Sequence, residues 1–446
     1  MKNEKKRCAI FYIHPTDIRA TRDEKLDFLR DNPIRKVPFD HIIPDKNNNW
    51  INLSVNDWEA MIPIANKETK FNKSISNDTA IFKNYTLGIV SNRDDWVYDY
   101  DKLNLRNKIQ YFIEYYNLKL SNFNEIISSE KSIVIEDRKK LADYLGTHIK
   151  FTREFINNDF LKNKKIEFDA KKIKSINYRP FVKLCCYLDF DHRIIHEPYQ
   201  NRKFFNLSND INKIINFNVN SKDYRILASD YVSDLHFIGD NQCFPLYFMS
   251  NNEVIDNITD WGLEQFHNNY TDQTITKEDI FHYVYAVLHN QAYRKKYEMN
   301  LKREFPRVPF YDDFWKWADW GKKLMDLHIN FETATEFPLK VTTIELKNEV
   351  YKPKLKADKD SGTIELDNIT TLSGVPKEAW EYKLGNRSAL EWILDQYKEK
   401  KPKDPTIAEK FNTYRFADYK DKVIDLLMRV TTVSVETVKI VKEMGR

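Results

Sequence analysis

Residues 276–328, TKEDIFHYVYAVLHNQAYRKKYEMNLKREFPRVPFYDDFWKWADWGKKLMDLH, are the stretch around which the rest of the chain is organised. Thr276 with Asp279 three residues on resembles a capping box, and Ile280, Val284, Val287 and Leu288 recur at helical spacing, so a helix is expected to start here. Tyr293, Tyr297 and Leu301 mark one face of a second helix, with Arg294, Lys295, Lys296, Lys302 and Arg303 on its other faces, until Pro306 and Pro309 stop it. A third helix is expected from Asp312, because Phe314, Trp317, Gly321, Leu324 and His328 recur at intervals of three and four. Three amphipathic helices with short joints cannot bury their stripes alone, so they must pack on each other or on the rest of the chain. On pattern alone the aromatics read as core and the basic residues as a solvated face.

The whole chain has 446 residues, enough for a sizeable core and two or three domains, and its 41% hydrophobic and 31% charged residues are ordinary for a globular protein. No apolar run approaches a membrane span, and the start MKNEKKRCAIFYI lacks a secretory signal, so a cytoplasmic protein without a membrane partner is expected. Cys8, Cys185, Cys186 and Cys243 have neither zinc spacing nor the density of a disulfide scaffold. A net charge of +4 declares no global nucleic-acid field. Between Lys150 and Lys183, however, basic residues outnumber acidic ones and form a candidate phosphate-facing strip, the bland alternative being a solvated face. Glycine is the informative absence: there are nine, and no two are close enough to build a phosphate-cradling loop. A nucleotide P-loop, a dinucleotide fingerprint and the Asn-Pro-Pro-Tyr-type tetrad of an adenine methyltransferase are all missing, Asp31-Asn32-Pro33-Ile34 being no match.

Along the chain, Cys8 to Ile13 reads as a buried strand and DEKLDFLRDN as a charged helix. From Ala80, AIFKNYTLGIVSNRDDWVYDY suggests strand, polar turn and strand. Asn92 and Arg93 at that turn are placed to reach base edges or phosphates, unless Arg93 instead pairs with Asp94 or Asp95. Residues 100 to 175 read as helices. Tyr178 to Glu197 should be strand-like, with Arg179 and Lys183 as preferred phosphate or base contacts. His192, His196 and Glu197 have helical metal spacing but strand-like surroundings and no third partner. Tyr231 to Phe248 reads as two strands joined at Gly239-Asp240-Asn241, with His236 as a structural histidine. Val350 to Gly362 has the look of an exposed hairpin or loop. Gly385 and Asn386 suit a turn, Ser388 an N-cap, and Leu390, Ile393, Leu394 and Tyr397 a buried stripe; Arg387 faces a phosphate or an acidic neighbour. Asp418 to Arg429 is a last helix, followed by a Val-rich run to Val441.

Several of these segments carry a resemblance, in the same order. DIFHYVYAVLHNQAYRKKYEMNLKREFPRVPF resembles the hallmark segment in the C-terminal specificity region of Type ISP restriction-modification enzymes. LGIVSNRDDWVYD looks like that family's signature for the start of its recognition domain, and Asp234, Leu235, His236, Gln242, Cys243, Phe244 and Pro245 match a further segment. Asp45, Lys46, Asn49, Trp50 and Asn52 match a segment at the end of the methyltransferase domain, while ITDWGLEQF and LGNRSALEWILDQYK match the linking and closing motifs. YRPF, residues 178–181, is shared by recognition regions of several DNA methyltransferases.

The resemblance implies an α+β chain with a methyltransferase tail over 1–72, a target-recognition domain over 73–260 and a mainly helical part over 261–446. It implies sequence-specific recognition of duplex DNA through Asn92, Arg93, Tyr178, Arg179, Lys183, Asn386 and Arg387, presenting a target adenine for methylation. No catalytic residue, metal or cofactor is expected in this chain. S-adenosylmethionine, helicase and nuclease functions belong to a methyltransferase/helicase/nuclease partner portion of the same system. Two other readings stand beside it: a stand-alone metal-dependent nuclease, for which Pro44-Asp45 and Glu345-Leu346-Lys347 are fragments of a motif, and a non-functional remnant.

Overall fold

A computed structural model describes residues 8–13, 21–44, 48, 50, 56–66, 69, 79–129, 149, 151–204, 212–218, 224–250, 253–345 and 350–445. Asp45, Lys46, Asn49, Asn52, Lys150, Leu346 and Lys347 lie outside these residues. The chain divides into two units, Met1–Asp57 and Trp58–Arg446.

In the first unit, β1 (Ile10–Tyr12) pairs antiparallel with β2 (Asp40–Ile42), with α1 (Arg22–Asp31) between them in sequence. Thr21 and Glu24 form a capping box that starts α1, yet the helix buries no residue. The expectation of a buried strand at Cys8 to Ile13 is corrected: Phe11 is 60% exposed, and Leu29, Ile34 and Ile43 are exposed with it. A ribbon of two three-residue strands offers no face broad enough to bury them.

The second unit begins with β3 (Ile62–Pro63) and β4 (Thr86–Leu87), followed by the helical turn α2 (Asp94–Val97), β5 (Tyr98–Asp99) and the long helix α3 (Lys102–Ser129). The expected turn around Asn92 is thus extended by one turn of helix, because Arg93 accepts at its carbonyl from Trp96 and Val97. Next come β6 (Ile173–Arg179) and β7 (Val182–Tyr187), then β8 (Ile214–Asn218), β9 (Ile226–Ser229), β10 (Asn241–Pro245), and the ribbon of β11 (Tyr247–Ser250) and β12 (Glu253–Asp256). They build an antiparallel sheet in the order β4-β10-β8-β9 and a smaller one in the order β5-β7-β6. Residues 231–240 form turns, so only the second of the two strands expected between Tyr231 and Phe248 begins where the Asp240-Asn241 turn ends.

The central helices follow as α4 (Asp260–Tyr270), α5 (Lys277–His289), α6 (Gln291–Lys296) and α7 (Glu298–Leu301), then β13 (Arg307–Val308) and α8 (Phe314–Ile329). Thr276 and Asp279 form the capping box that the sequence announces. The expected second helix is two short ones, broken at Tyr297, whose backbone leaves the helical region. Every residue from Ile280 to His289 is buried, as befits a helix packed on all sides. Its closest neighbour is α8. A Cβ on Gly321 would lie 1.8 Å from the His282 carbonyl oxygen, so glycine is what lets the two backbones touch.

A second four-stranded sheet, ordered β14-β17-β16-β15, comprises β14 (Lys340–Thr343), β15 (Pro353–Asp358), β16 (Thr363–Asp367) and β17 (Thr370–Ser373). The small hairpin of β18 (Lys383–Leu384) and β19 (Arg387–Ser388) then leads into α9 (Ala389–Gln396), capped by Ser388 and Glu391. The Val-rich run continues the final helix, so that α10 spans Lys420–Glu443 without a break. Burial of Val423, Val430, Val433 and Val438 outweighs the weak helix preference of β-branched residues.

The fold is α+β. Within the second unit, contacts run across the positions 72/73 and 260/261. Ile62 of β3 pairs with Val308 of β13, and the Phe82 ring packs 4.9 Å from Phe244 and 6.0 Å from Phe281. A buried polar chain also stitches the centre together. The Tyr285 hydroxyl accepts from the Ala228 amide at 2.7 Å and bonds His328 Nδ1 at 2.6 Å, and His328 Nε2 bonds Thr437 Oγ1 at 3.0 Å. Burial holds the His328 pKa at about 3, so the imidazole is neutral, accepting from Tyr285 and donating to Thr437.

Candidate nucleic-acid interface

Four of the seven residues singled out in the sequence turn inward. Arg93, only 4% exposed, lies over the rings of Phe112 and Phe155 at 5.4 and 5.1 Å and donates through Nη1 to the Arg193 carbonyl at 3.1 Å. Burial lowers its pKa to about 9. It pairs with neither Asp94 nor Asp95 among the described contacts and lies inside the aromatic core. Arg179 pairs with Asp234 at 2.7 Å and stacks 3.9 Å from the Tyr178 ring centre. The Tyr178 hydroxyl donates to Asp94 at 3.0 Å, and the Tyr98 hydroxyl to Asp234 at 3.0 Å. Gly88 allows the close approach here, since a Cβ would meet the Asp234 carbonyl oxygen at 2.5 Å. Lys183 is held by Asp230 at 3.0 Å and Glu332 at 3.4 Å.

The segments 87–99, 178–181 and 231–236 therefore converge on one internal knot of charges. Other members of the basic strip are also matched within the fold: Lys172 by Asp189 and Asp191, and Lys164 by Asp159. Arg153, Lys162, Lys164, Lys165 and Lys171 of the strip nonetheless remain exposed. Asn92 is exposed, its φ of 56° being one that asparagine tolerates. Asn386 is also exposed, next to Gly385 in the turn between β18 and β19, and Arg387 pairs with Asp395 at 3.1 Å while lying over Trp392 at 5.1 Å.

A cleft of about 420 Å³ opens between the β8–β9 pair, α6 and α7, and the β18–β19 hairpin. Four cations line it, Arg294, Lys295, Lys302 and Lys383, together with the polar side chains of Asn218, Tyr224 and Gln291. Its one carboxylate among the described residues, Glu298, is engaged by Lys302 at 2.5 Å. Gly385 forms the far wall, where a Cβ would collide with the Arg225 guanidinium at 2.4 Å, so a fifth cation stands directly behind the hairpin. A concave wall with cations in excess concentrates positive potential and draws an anionic, extended ligand.

Only one signal for this site is present in the sequence. Arg294-Lys295-Lys296 is a basic run, but its periodicity places it on a solvated helix face. Nothing local shows that a hairpin some ninety residues later faces the same run.

The family model described as the Type ISP C-terminal specificity domain matches residues 80–426. Comparison with curated proteins gives no significant match. Among solved structures, the fold is similar to that of the cryoEM structure of a DrdV-DNA complex, with a TM-score of 0.84 and 43% identity over 94% of this chain and 42% of that one. It is similar to a nuclease-deletion mutant of the Type ISP restriction-modification enzyme LlaGI in complex with a DNA substrate mimic, with a TM-score of 0.77 and 30% identity over 95% of this chain and 38% of that one. It is also similar to the ATP-dependent Type ISP enzyme LlaBIII bound to DNA, with a TM-score of 0.73 and 25% identity over 95% of this chain and 27% of that one. The chain thus spans less than half the length of each of these relatives. Matched over residues 80–426 and sharing its fold with Type ISP enzymes along nearly its whole length, this chain belongs to the Type ISP C-terminal specificity domain family.

Proposed function

We propose that this chain reads duplex DNA as the specificity portion of a Type ISP restriction-modification system, and that the cationic cleft is its principal DNA-facing surface. The observation that carries the reading is the cleft itself: four lining cations meet one carboxylate, on a fold whose relatives were solved as DNA complexes. Lys295 and Lys383 supply phosphate contacts, and Asn218, Gln291 and Asn386 are amides of the kind that discriminate bases. Arg93, Tyr178, Arg179 and Lys183 support that surface from within, whereas Asn92 and Arg387 are retained as peripheral contacts. Transfer of a methyl group from S-adenosylmethionine to the target adenine, DNA translocation and cleavage fall to a partner portion carrying methyltransferase, helicase and nuclease parts. The cytoplasm is the compartment in which such a system meets its DNA. Among the described residues no helix is long and apolar enough to cross a membrane.

Selection from random duplex DNA by the purified chain, at low and near-physiological salt, tests this reading. An asymmetric motif enriched at both salts is expected, and replacing Lys295 and Lys383 by Ala should weaken binding to all sequences alike. Binding that enriches nothing and vanishes with salt removes the proposal.

A further inference from the structure

The floor of the cleft differs from its walls. Arg294 donates through Nε to the Leu288 carbonyl at 2.7 Å, and its guanidinium lies 4.8 Å from the centre of the Tyr224 ring. Among the described residues it has no carboxylate partner. Arg179, Arg429 and Arg307 each meet a carboxylate, Asp234 at 2.7 Å, Asp425 at 2.7 Å and Glu59 at 3.6 Å respectively; Arg93 meets none but is closed between the Phe112 and Phe155 rings, whereas Arg294 borders a cleft. A guanidinium carries five N–H donors in a planar fork, and only one of them here is used by the protein.

Beneath Arg294 the cleft narrows into a recess of about 90 Å³ that shares Tyr224, Gln291, Arg294 and Lys383 with it. Three buried polar atoms around this recess have no hydrogen-bond partner among the described residues: His289 Nε2, Tyr224 Oη and Tyr382 Oη. Leaving such atoms unmatched is costly, so a polar occupant is expected. His289 bonds the Tyr285 carbonyl through Nδ1 at 2.8 Å, which puts the proton on Nδ1 and leaves Nε2 as an acceptor. The recess is also lined by Arg225, Lys383 and Lys442 and by the carboxylate of Glu381, which Lys442 engages at 2.8 Å, while the Tyr224 and Tyr382 hydroxyls and the Arg294 fork have donors to offer. Cations in excess of the one engaged carboxylate among the described lining residues, unmatched donors, and the His289 Nε2 acceptor for a water proton describe an oxyanion with its accompanying water.

We infer that the cleft floor is a discrete oxyanion site in which Arg294, seated on Tyr224 and flanked by Lys383, takes a single phosphate group. The site itself follows from these residues; only the source of its phosphate, a backbone phosphodiester, rests on the reading of the chain as a DNA-binding domain. A phosphate seated there uses the free fork of Arg294 in paired N–H···O contacts, which the exposed lysines of the rim cannot reproduce.

The test uses the full chain. Its thermal unfolding midpoint is followed in inorganic phosphate and in sodium chloride of equal ionic strength, for the native sequence, Arg294→Gln, Arg294→Lys and Lys383→Ala. Phosphate should raise the midpoint of the native chain beyond what chloride does, Arg294→Gln should abolish that extra rise, and Lys383→Ala and Arg294→Lys should reduce it. If Arg294→Gln does not fold, the last two variants carry the test. Duplex binding is measured on the same proteins, with phosphate as competitor. Competition, with about tenfold or greater loss of duplex affinity in the Arg294 variants, identifies the phosphate as that of DNA. A phosphate-specific rise lost in Arg294→Gln, with duplex binding unchanged, supports the site and assigns it to a free phosphate. No phosphate-specific rise in the native chain, or the same rise in every variant, overturns the inference. Failure of the native chain to bind any duplex counts against the DNA reading and leaves the phosphate result to decide the site.

Discussion

Arg179 and Arg294 are the same side chain in two regions with opposite arrangements. Arg179 lies in a knot where Asp234, Tyr178, Tyr98 and Asp94 answer one another within hydrogen-bonding distance. Arg294 lies in a cleft where cations are gathered and the only lining carboxylate among the described residues is engaged by another lysine. The knot is electrostatically closed and so belongs to the scaffold; the cleft is open and so belongs to a ligand. A basic residue therefore gains its meaning from where the acids are, which a count of charges along the chain does not reveal.

The largest effect that tests this contrast is expected in the knot. Asp234→Ala leaves a buried guanidinium without its partner and should destabilise the fold by about 3–5 kcal/mol in denaturant titrations, while the folded fraction keeps its DNA affinity. A loss of affinity without loss of stability would move Arg179 to the ligand side.

Acid provides the next largest. His328 is neutral in the folded chain, its pKa held at about 3 by burial, against 6.5 when exposed. The unfolded chain takes up the proton first, so the contribution of this group is complete above about pH 6.5 and is lost as the pH falls toward 3, at about 1.4 kcal/mol per pH unit. His328→Gln should flatten that slope in urea melts between pH 6.5 and 4.

The smallest effects on the fold, and the clearest on binding, belong to the cleft. Lys295→Ala and Lys383→Ala should leave the unfolding midpoint within about 0.5 kcal/mol of native stability, and each should lower the slope of log affinity against log salt by about 1. An equal drop in stability would make the cleft another knot.

Much of the scaffold was legible. Thr276 with Asp279, and Ser388 alone, announced helix starts because capping is local chemistry, and Phe314, Trp317, Leu324 and His328 announced a buried face because periodicity is local geometry. The break at Tyr297 and the continuity of α10 through its valines were not legible, since tertiary packing decided both. The site was least legible of all. Arg93 stood in an expected polar turn and Arg179 in an expected strand, both read as reaching toward DNA, and only the folded chain brings Phe112 and Asp234 onto them. Arg294 looked solvated until the β18–β19 hairpin, distant in sequence, closed the other wall.

The pairing of β3 with β13 has a consequence for how the chain is made. Ile62 emerges from the ribosome roughly 250 residues before Val308 exists to receive it, and at roughly 5–20 residues per second that is a wait on the order of ten seconds or more. Throughout it, the apolar residues of this early segment lack the helices that will cover them, and α10, which closes the centre, arrives later still. Closure of this core is therefore delayed until Val308 and its neighbours have been made, and its yield in a cell should depend on chaperones that shelter the segment around Ile62 in the interval.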